Sequence, residues 1–280
     1  MTKTNDTSFN NKTSESALPV IAKTSQPRLS LAKPIPKPDQ ILNLYQPYSP
    51  STLNSRKPMH LYDINFVLPF KVLSTGYVRL EPLVPSKHLE GFLSLPDLSW
   101  DVFGGLGPYD EESALIDIED FRAEPSSLLL AVVDEQAERR GENGFAGVYG
   151  LTEASDEEMS MIFGLINILP KYQKTHINTH AMFLILSYMF EEIGMVRVQY
   201  DAVTFNKGSI ATALRFGFRE EGICRNMGGL VPKHKRRQGE ETRGSQDLWC
   251  SSMTNQEWKC EGKDRFVKLM TREPVDTSTL

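Results

Sequence analysis

Apolar and polar positions follow no regular pattern before about residue 60, and from there they organise into a succession of short elements. Residues 77–83 alternate and predict a strand, after which Ser86 is placed to cap a short helix with Leu89, Phe92 and Leu93 on one face. A Gly-rich loop over 99–110 separates it from a second amphipathic helix over 111–121, whose first turn is acidic, as the helix dipole favours. Two apolar, β-rich runs, 127–134 and 145–153, flank a charged turn containing glycine and predict an antiparallel hairpin. A further strand over 158–169 stops at Pro170. A helix apolar on most sides then runs from about 177 to 193 and ends at Gly194. Residues 195–203 predict a strand that crosses over to lie parallel to its predecessor, and a short helix over 207–216 ends at Gly217. Strands over 218–224 and 247–253 enclose a long polar loop, 226–246, and Thr254 with Glu257 has the spacing of a capping box opening a last helix.

Composition divides the chain. Residues 1–58 are mostly Ser, Thr, Asn, Lys and Pro, which predicts a disordered tail; 59–270 form one folded domain, and 271–280 a disordered C-terminus. The tail holds eight Lys and Arg against three acidic residues. With a net charge of −5 for the whole chain, the remainder carries about −10. So acidic a domain argues against general nucleic-acid binding and favours cationic partners such as amines. Three cysteines, Cys224, Cys250 and Cys260, have no metal-type spacing and are expected as buried thiols in a reducing compartment. No apolar run is long enough to cross a bilayer, so a soluble cytoplasmic protein is expected. The basic run Lys233–Arg237 has two sharper readings beside plain solvation, contact with an acidic partner or the outer phosphate of a cofactor, and nuclear import.

The most telling segment is 164–181, GLINILPKYQKTHINTHA, where a buried strand empties into a helix N-terminus. Free backbone N–H groups and the positive end of the helix dipole make such a junction an anion site, and Lys171 and Lys174 add charge. A nucleotide-bearing cofactor fits these features. His176 and His180 are four apart, a spacing that can bring two imidazoles to one metal, but no third ligand is evident nearby; they are taken as polar residues at a helix entrance, with no metal expected.

The order of elements, with G-Y-V-R-L-E-P-L at 76–83, W-D-x-x-x-x-L-G-P-Y at 100–109, G-x-I-N-x-x-P-x-x-Q-x-T at 164–175, N-x-x-S at 206–209 and L-R-F-G-F at 214–218, resembles the GNAT superfamily of acetyl-CoA-dependent N-acetyltransferases, and within it the ribosomal-protein-alanine acetyltransferase-like branch. The resemblance implies an α/β (α+β) fold: a mixed, mostly antiparallel sheet splayed between two parallel strands, with helices on both faces. It implies acetyl-CoA as co-substrate, held by Asn167, Ile168, Leu169, Gln173, Lys174, Thr175, His176, Ile177, Asn178, Thr179 and Asn206. Pantetheine amides would pair with the strand edge at 167–169, and N–H groups near Leu169 would polarise the thioester carbonyl. Ser209 is implied as the acid that protonates the departing thiolate, and Trp100 and Tyr109 as walls of the pocket for a primary amine, a small molecule or a peptide N-terminus.

Two departures stand out. In the family resembled, the loop usually has glycine where His176 stands and glycine or alanine where Asn178 stands, and Ile162 stands where the branch often has a glutamate. Glu158, Asp247 or a chain of waters are the alternatives for a general base. The competing expectation is a GNAT-fold module with impaired catalysis, acting as a CoA-binding or protein-interaction protein.

Overall fold

The computed structural model describes residues 57–96, 110–228, 246–272 and 274–279, all within the unit Ser49–Leu280. Trp100, Tyr109 and the run Lys233–Arg237 lie outside the described residues. Strands β1 (Leu73–Ser74) and β2 (Val78–Pro82) lead into helix α1 (Pro85–Leu93), followed by α2 (Glu111–Ala123). β3 (Leu128–Asp134) and β4 (Phe145–Ser155) are joined through a short helix, α3 (Glu135–Arg139), inside the connection expected as a plain turn. The Asp134 carboxylate starts that helix by accepting from the Gln136 and Ala137 N–H groups.

β5 (Ser160–Ile168), α4 (Ile177–Ser187) and β6 (Arg197–Val203) form the crossover unit. α4 continues into a π-helical turn, Tyr188–Ile193, that ends at Gly194 with φ of 85°. α5 (Lys207–Phe216) stops at Gly217, φ 97°, before β7 (Arg219–Gly228) and β8 (Gln246–Thr254). The last helical stretch opens as α6 (Asn255–Glu257), with reciprocal capping between Thr254 and Glu257, and closes as α7 (Lys263–Met270).

The eight strands form one sheet in the order β1-β2-β3-β4-β5-β6-β8-β7, antiparallel at every junction except β5–β6. This is the mixed, mostly antiparallel sheet that the sequence predicts. β3 is buried along its whole length, as expected where helices cover both faces. Gly91 of α1 sits against Phe145, while Tyr149, on the other side of a register shift in β4, reaches α4. The core is continuous, from Leu80 and Leu130 through Tyr149 and Met161 to Phe216, Trp258 and Phe266.

Local details depart from the sequence in three places. Ser86 does not cap α1, whose N-cap is Val84 with Pro85 in the first turn; there His88 Nδ1 accepts from the Val84 N–H at 2.9 Å, so its Nε2 carries the proton toward Glu81 Oε1. Cys224 and Cys260 are exposed and only Cys250 is buried. The C-terminal residues, expected to be disordered, include a buried Thr277 whose hydroxyl donates to Asp134 Oδ2 at 2.6 Å and accepts from Arg140 Nη2 at 3.2 Å.

Gly147 lets β4 lie close against β5. It has φ of 155°, and a Cβ there would fall 2.2 Å from the Asn167 carbonyl oxygen and 2.9 Å from Ile168 Cα. Gly147→Ala is expected to destabilise the fold by about 1–3 kcal/mol through this overpacking, measured as a lowered denaturation midpoint; an unchanged midpoint would mean that β5 moves freely away from β4.

Candidate active site

The site originates in one extra residue. On β4, Gly150 lies opposite Leu165 and Leu151 opposite Phe163, so Gly164 of β5 has no partner and forms a bulge. Glycine is needed, because a Cβ at 164 would lie 2.4 Å from Thr152 Cγ2. The parallel pairing of β5 with β6 covers Ser160–Phe163 against Arg197–Tyr200 and ends there. Beyond it β6 stays with β8 through Val203, β5 stays with β4 through Ile168, and the two separate. A cavity of about 750 Å³ occupies the space, lined by β5, the start of α4, α5 and the segment after α7.

The loop that enters α4 makes its turn without glycines. Its left-handed residue is Lys174, φ 62°, and the Thr175 hydroxyl donates to the Tyr172 carbonyl while accepting from the Ile177 N–H. Asn178 turns its side chain inward, where Oδ1 accepts from the Tyr149 hydroxyl. His176 also packs inward, with its ring edge-on to Tyr77 at 6.1 Å and to His180 at 5.5 Å. His180 Nδ1 lies 2.9 Å from Thr75 Oγ1. Two bulky residues therefore stand in place of glycines with their side chains engaged by Tyr149, Tyr77 and His180 at the wall of the cavity. First-turn N–H groups of α4 lack intrahelical acceptors, and Asn167 Nδ2 is buried at this pocket without a hydrogen-bond partner. Such an orphaned donor suits an amide- and phosphate-bearing ligand.

At the other end of α5, Asn206 caps the helix by accepting from the Ser209 N–H at 3.1 Å, and Ser209 Oγ lies 2.9 Å from the Tyr200 hydroxyl. Burial raises the Tyr200 phenol pKa, with the Ser209 hydrogen bond opposing, so Tyr200 keeps its proton at neutral pH. Strand alternation sends the next residue, Asp201, to the opposite face of the sheet. Its Oδ2 accepts from Gln199 Nε2 at 2.7 Å, and Gln199 Oε1 accepts from Arg197 at 2.9 Å. Asp201 Oδ1 is buried without a well-formed hydrogen bond, although the Cys250 thiol and Ser251 N–H are near. Burial raises this carboxyl above its ordinary pKa, against the lowering effects of Gln199, Ser251, Cys250 and Arg197.

The structure brings together Asn167, Ile168, Gln173, Lys174, Thr175, His176, Asn178, Thr179, Asn206 and Ser209 around one cavity. Two expected residues do not belong there. The Leu169 N–H is bonded to the Ala146 carbonyl at 2.9 Å and is not free to polarise a thioester, and Ile177 is fully buried in the core. Of the alternatives for a base, Glu158 is exposed in the turn before β5, and Asp247 Oδ1 accepts from the Asn226 N–H. Tyr200, Arg215 and Arg272, which also line the cavity, and the partly buried Asp201 on the other face were not singled out from the sequence. Tyr200 alone had a legible signal, an aromatic hydroxyl on the strand that borders the gap. Among the described residues, no cluster of His, Cys, Asp and Glu is arranged to hold a metal, and no helix is long and apolar enough to cross a membrane.

The acetyltransferase (GNAT) domain family model matches residues 78–219, half of the chain. The chain belongs to that family and is an acetyltransferase by descent. Among solved structures it is similar to a GCN5-related N-acetyltransferase from Brucella melitensis, with 24% identity over 76% of this chain and 91% of that one and a TM-score of 0.62. It is also similar to the spermidine N-acetyltransferase of Vibrio cholerae solved with CoA and spermine, with 16% identity over 66% and 99% of the two chains and a TM-score of 0.51. At these identities the likeness is one of fold. No curated protein matches the chain.

The inward-facing histidines give the domain an acid-sensitive feature. Burial holds His180 down to about 4, helped by the neighbouring His176, and burial likewise lowers His176 against a pull upward from Asp134. Unfolded imidazoles bind protons below about 6.5 while the folded ones stay neutral, so their stabilisation is complete above that pH and declines as pH falls toward 4. The unfolding free energy of the free protein, measured by urea titration, is expected to fall by on the order of 1 kcal/mol between pH 7 and pH 5, with the pH slope flattened in a His176→Asn/His180→Gln variant. Equal slopes in parent and variant would remove the histidines from the effect.

Proposed function

We propose that the chain transfers acetyl from acetyl-CoA to a primary amine by direct attack in a ternary complex. The observation that carries this reading is the separation of β5 from β6 beyond Phe163 and Tyr200, with a cavity leading from the α4 N-terminus to the Ser209–Tyr200 pair. The open edge of β5 offers backbone groups to pantetheine amides, and the Asn167 amide offers its unpartnered donor. The α4 N-terminus with Lys174 suits the diphosphate.

Ser209 and Tyr200 share a hydroxyl pair at the inner end of the pocket, and either supplies the proton that the departing thiolate takes up as the carbon–sulfur bond breaks. The acceptor amine enters from the opposite face, where Asp201 takes the proton that nitrogen loses as its bond to the acetyl carbon forms. A carboxyl with a raised pKa suits that role. The same face carries Glu221, whose charge is balanced by Arg197. The N-x-x-S motif at 206–209 supports a place in the ribosomal-protein-alanine acetyltransferase-like branch, for which the acceptor is a protein N-terminus; the Vibrio cholerae structure with spermine makes polyamines the second class to test.

Acetyl transfer to spermine, spermidine and peptides with free N-terminal alanine or serine, followed as released CoA thiol, tests the scheme. Asp201→Asn is expected to lower kcat by about 10²–10⁴-fold, and the Ser209→Ala/Tyr200→Phe double variant by a similar factor, with acetyl-CoA affinity kept within about twofold. Because Asp201 acts deprotonated, kcat/KM rises with pH through its raised pKa, and the Asn variant loses that limb. An Asp201→Asn enzyme as active as its parent would exclude the carboxylate. No acetyl-CoA binding at millimolar ligand would remove the whole scheme.

A further inference from the structure

Among the described residues, three cations and no carboxylate line the cavity. Lys174, Arg215 and Arg272 line it, and among the described residues none of them forms an ion pair. This is notable in a domain that is acidic as a whole. The three arise from separate elements, the loop before α4, the end of α5 and the segment after α7.

Arg215 is placed by helical spacing. Gly208, Ser209, Thr212 and Arg215 form the face of α5 that lines the cavity, and six residues of helix carry Arg215 about 9 Å beyond Ser209. It arrives at the first turn of α4, where Nη1 donates to Thr179 Oγ1 at a long 3.5 Å, with its guanidinium 4.5 Å from the Phe216 ring centre. Burial, and then the like charge of Arg272, lower its pKa from the ordinary value. Two arginines and a helix N-terminus facing one space repel one another unless an anion lies between them.

Arg272 is carried by a segment held at both ends. On one side α7 is anchored through Phe266, buried and stacked on Phe216 at 5.1 Å. On the other, Thr277 is buried, donating to Asp134 Oδ2 and accepting from Arg140. Between these anchors Met270, Arg272 and Val275 line the cavity.

We propose that Arg215 and Arg272 clamp the phosphates of CoA, and that the C-terminal segment is a strap, fastened by Thr277, that carries Arg272 over them. The proposal rests on the reading of the cavity as a CoA site. It supplies what the loop before α4 lacks: with His176 and Asn178 in place of glycines, side-chain charge takes over part of the work that close backbone approach performs elsewhere. Arginine suits it, since its planar fork binds phosphate oxygens in pairs.

Isothermal titration of the full-length protein with CoA, dephospho-CoA and adenosine 3′,5′-bisphosphate tests it. Arg215→Gln and Arg272→Gln are each expected to weaken CoA binding by about 10–100-fold, with the thermal midpoint of the free protein unchanged. Thr277→Val, which touches no ligand, is expected to reproduce part of the Arg272 loss. Arg265→Gln, on α7 beside Glu261, is expected to bind CoA as the parent does. A loss that shrinks on dephospho-CoA assigns the clamp to the 3′-phosphate, and an equal loss on both ligands assigns it to the diphosphate; either supports the proposal. CoA binding to both arginine variants within twofold of the parent overturns the clamp while leaving the CoA site standing. A parent that binds neither CoA nor the bisphosphate overturns both. In the parent alone, CoA affinity must fall as NaCl rises, and a salt-independent affinity also overturns the proposal.

Discussion

Up to Phe163 the β5 edge is paired to β6, and one residue later the bulge at Gly164 changes its course. The cavity between β5 and β6 depends on that change. A sheet hydrogen-bonded without a break would present no backbone edge and no cavity here. The bulge is stable because each strand keeps a partner on its far side, β5 with β4 and β6 with β8, so the parting leaves backbone groups open only along the wedge. Gly164 and Gly147 serve the same geometry from opposite sides: one has no room for a Cβ against Thr152, the other none against the Asn167 carbonyl.

The departures from the family's glycine-bearing loop turn out to be packing solutions. The ring of His176 is in a cluster with Tyr77 and His180, and the side chain of Asn178 is a hydrogen-bond acceptor for Tyr149. Left-handed backbone is needed once in the loop, and it falls on Lys174, where the side chain projects charge while the backbone makes the turn. The cost of that conformation in a non-glycine residue is of order 1–3 kcal/mol, which the cap of Thr175 on Tyr172 and Ile177 helps to offset.

Much of the architecture was legible in the sequence because its signals are local. Alternation marks β2, the apolar runs mark β3 to β5, Gly194 and Gly217 end α4 and α5, and Thr254 with Glu257 starts the last helix. What escaped depends on a partner element. A bulge is a mismatch between two strands, so no single-strand pattern announces Gly164. Leu169 belongs to the motif, yet its N–H is committed to Ala146 on the neighbouring strand. Asp201 looks like any polar residue of an alternating strand until β8 buries one of its oxygens. The C-terminal residues have the composition of a loose end, yet Thr277 is buried and donates to Asp134. Ser86 lost the cap because Pro85 suits the first helical turn.

The distribution of charge follows from the same gap. On the face with α4 and α5 the cavity gathers Lys174, Arg215 and Arg272, while the other face carries Asp201 and the Glu221–Arg197 ion pair. Under the proposed scheme the anionic donor would lie on the first side and the amine acceptor on the second, each beside side chains of a different kind. The domain as a whole carries an excess of acid, so the gathering of cations at this one cavity comes from where Lys174, Arg215 and Arg272 are placed and not from composition.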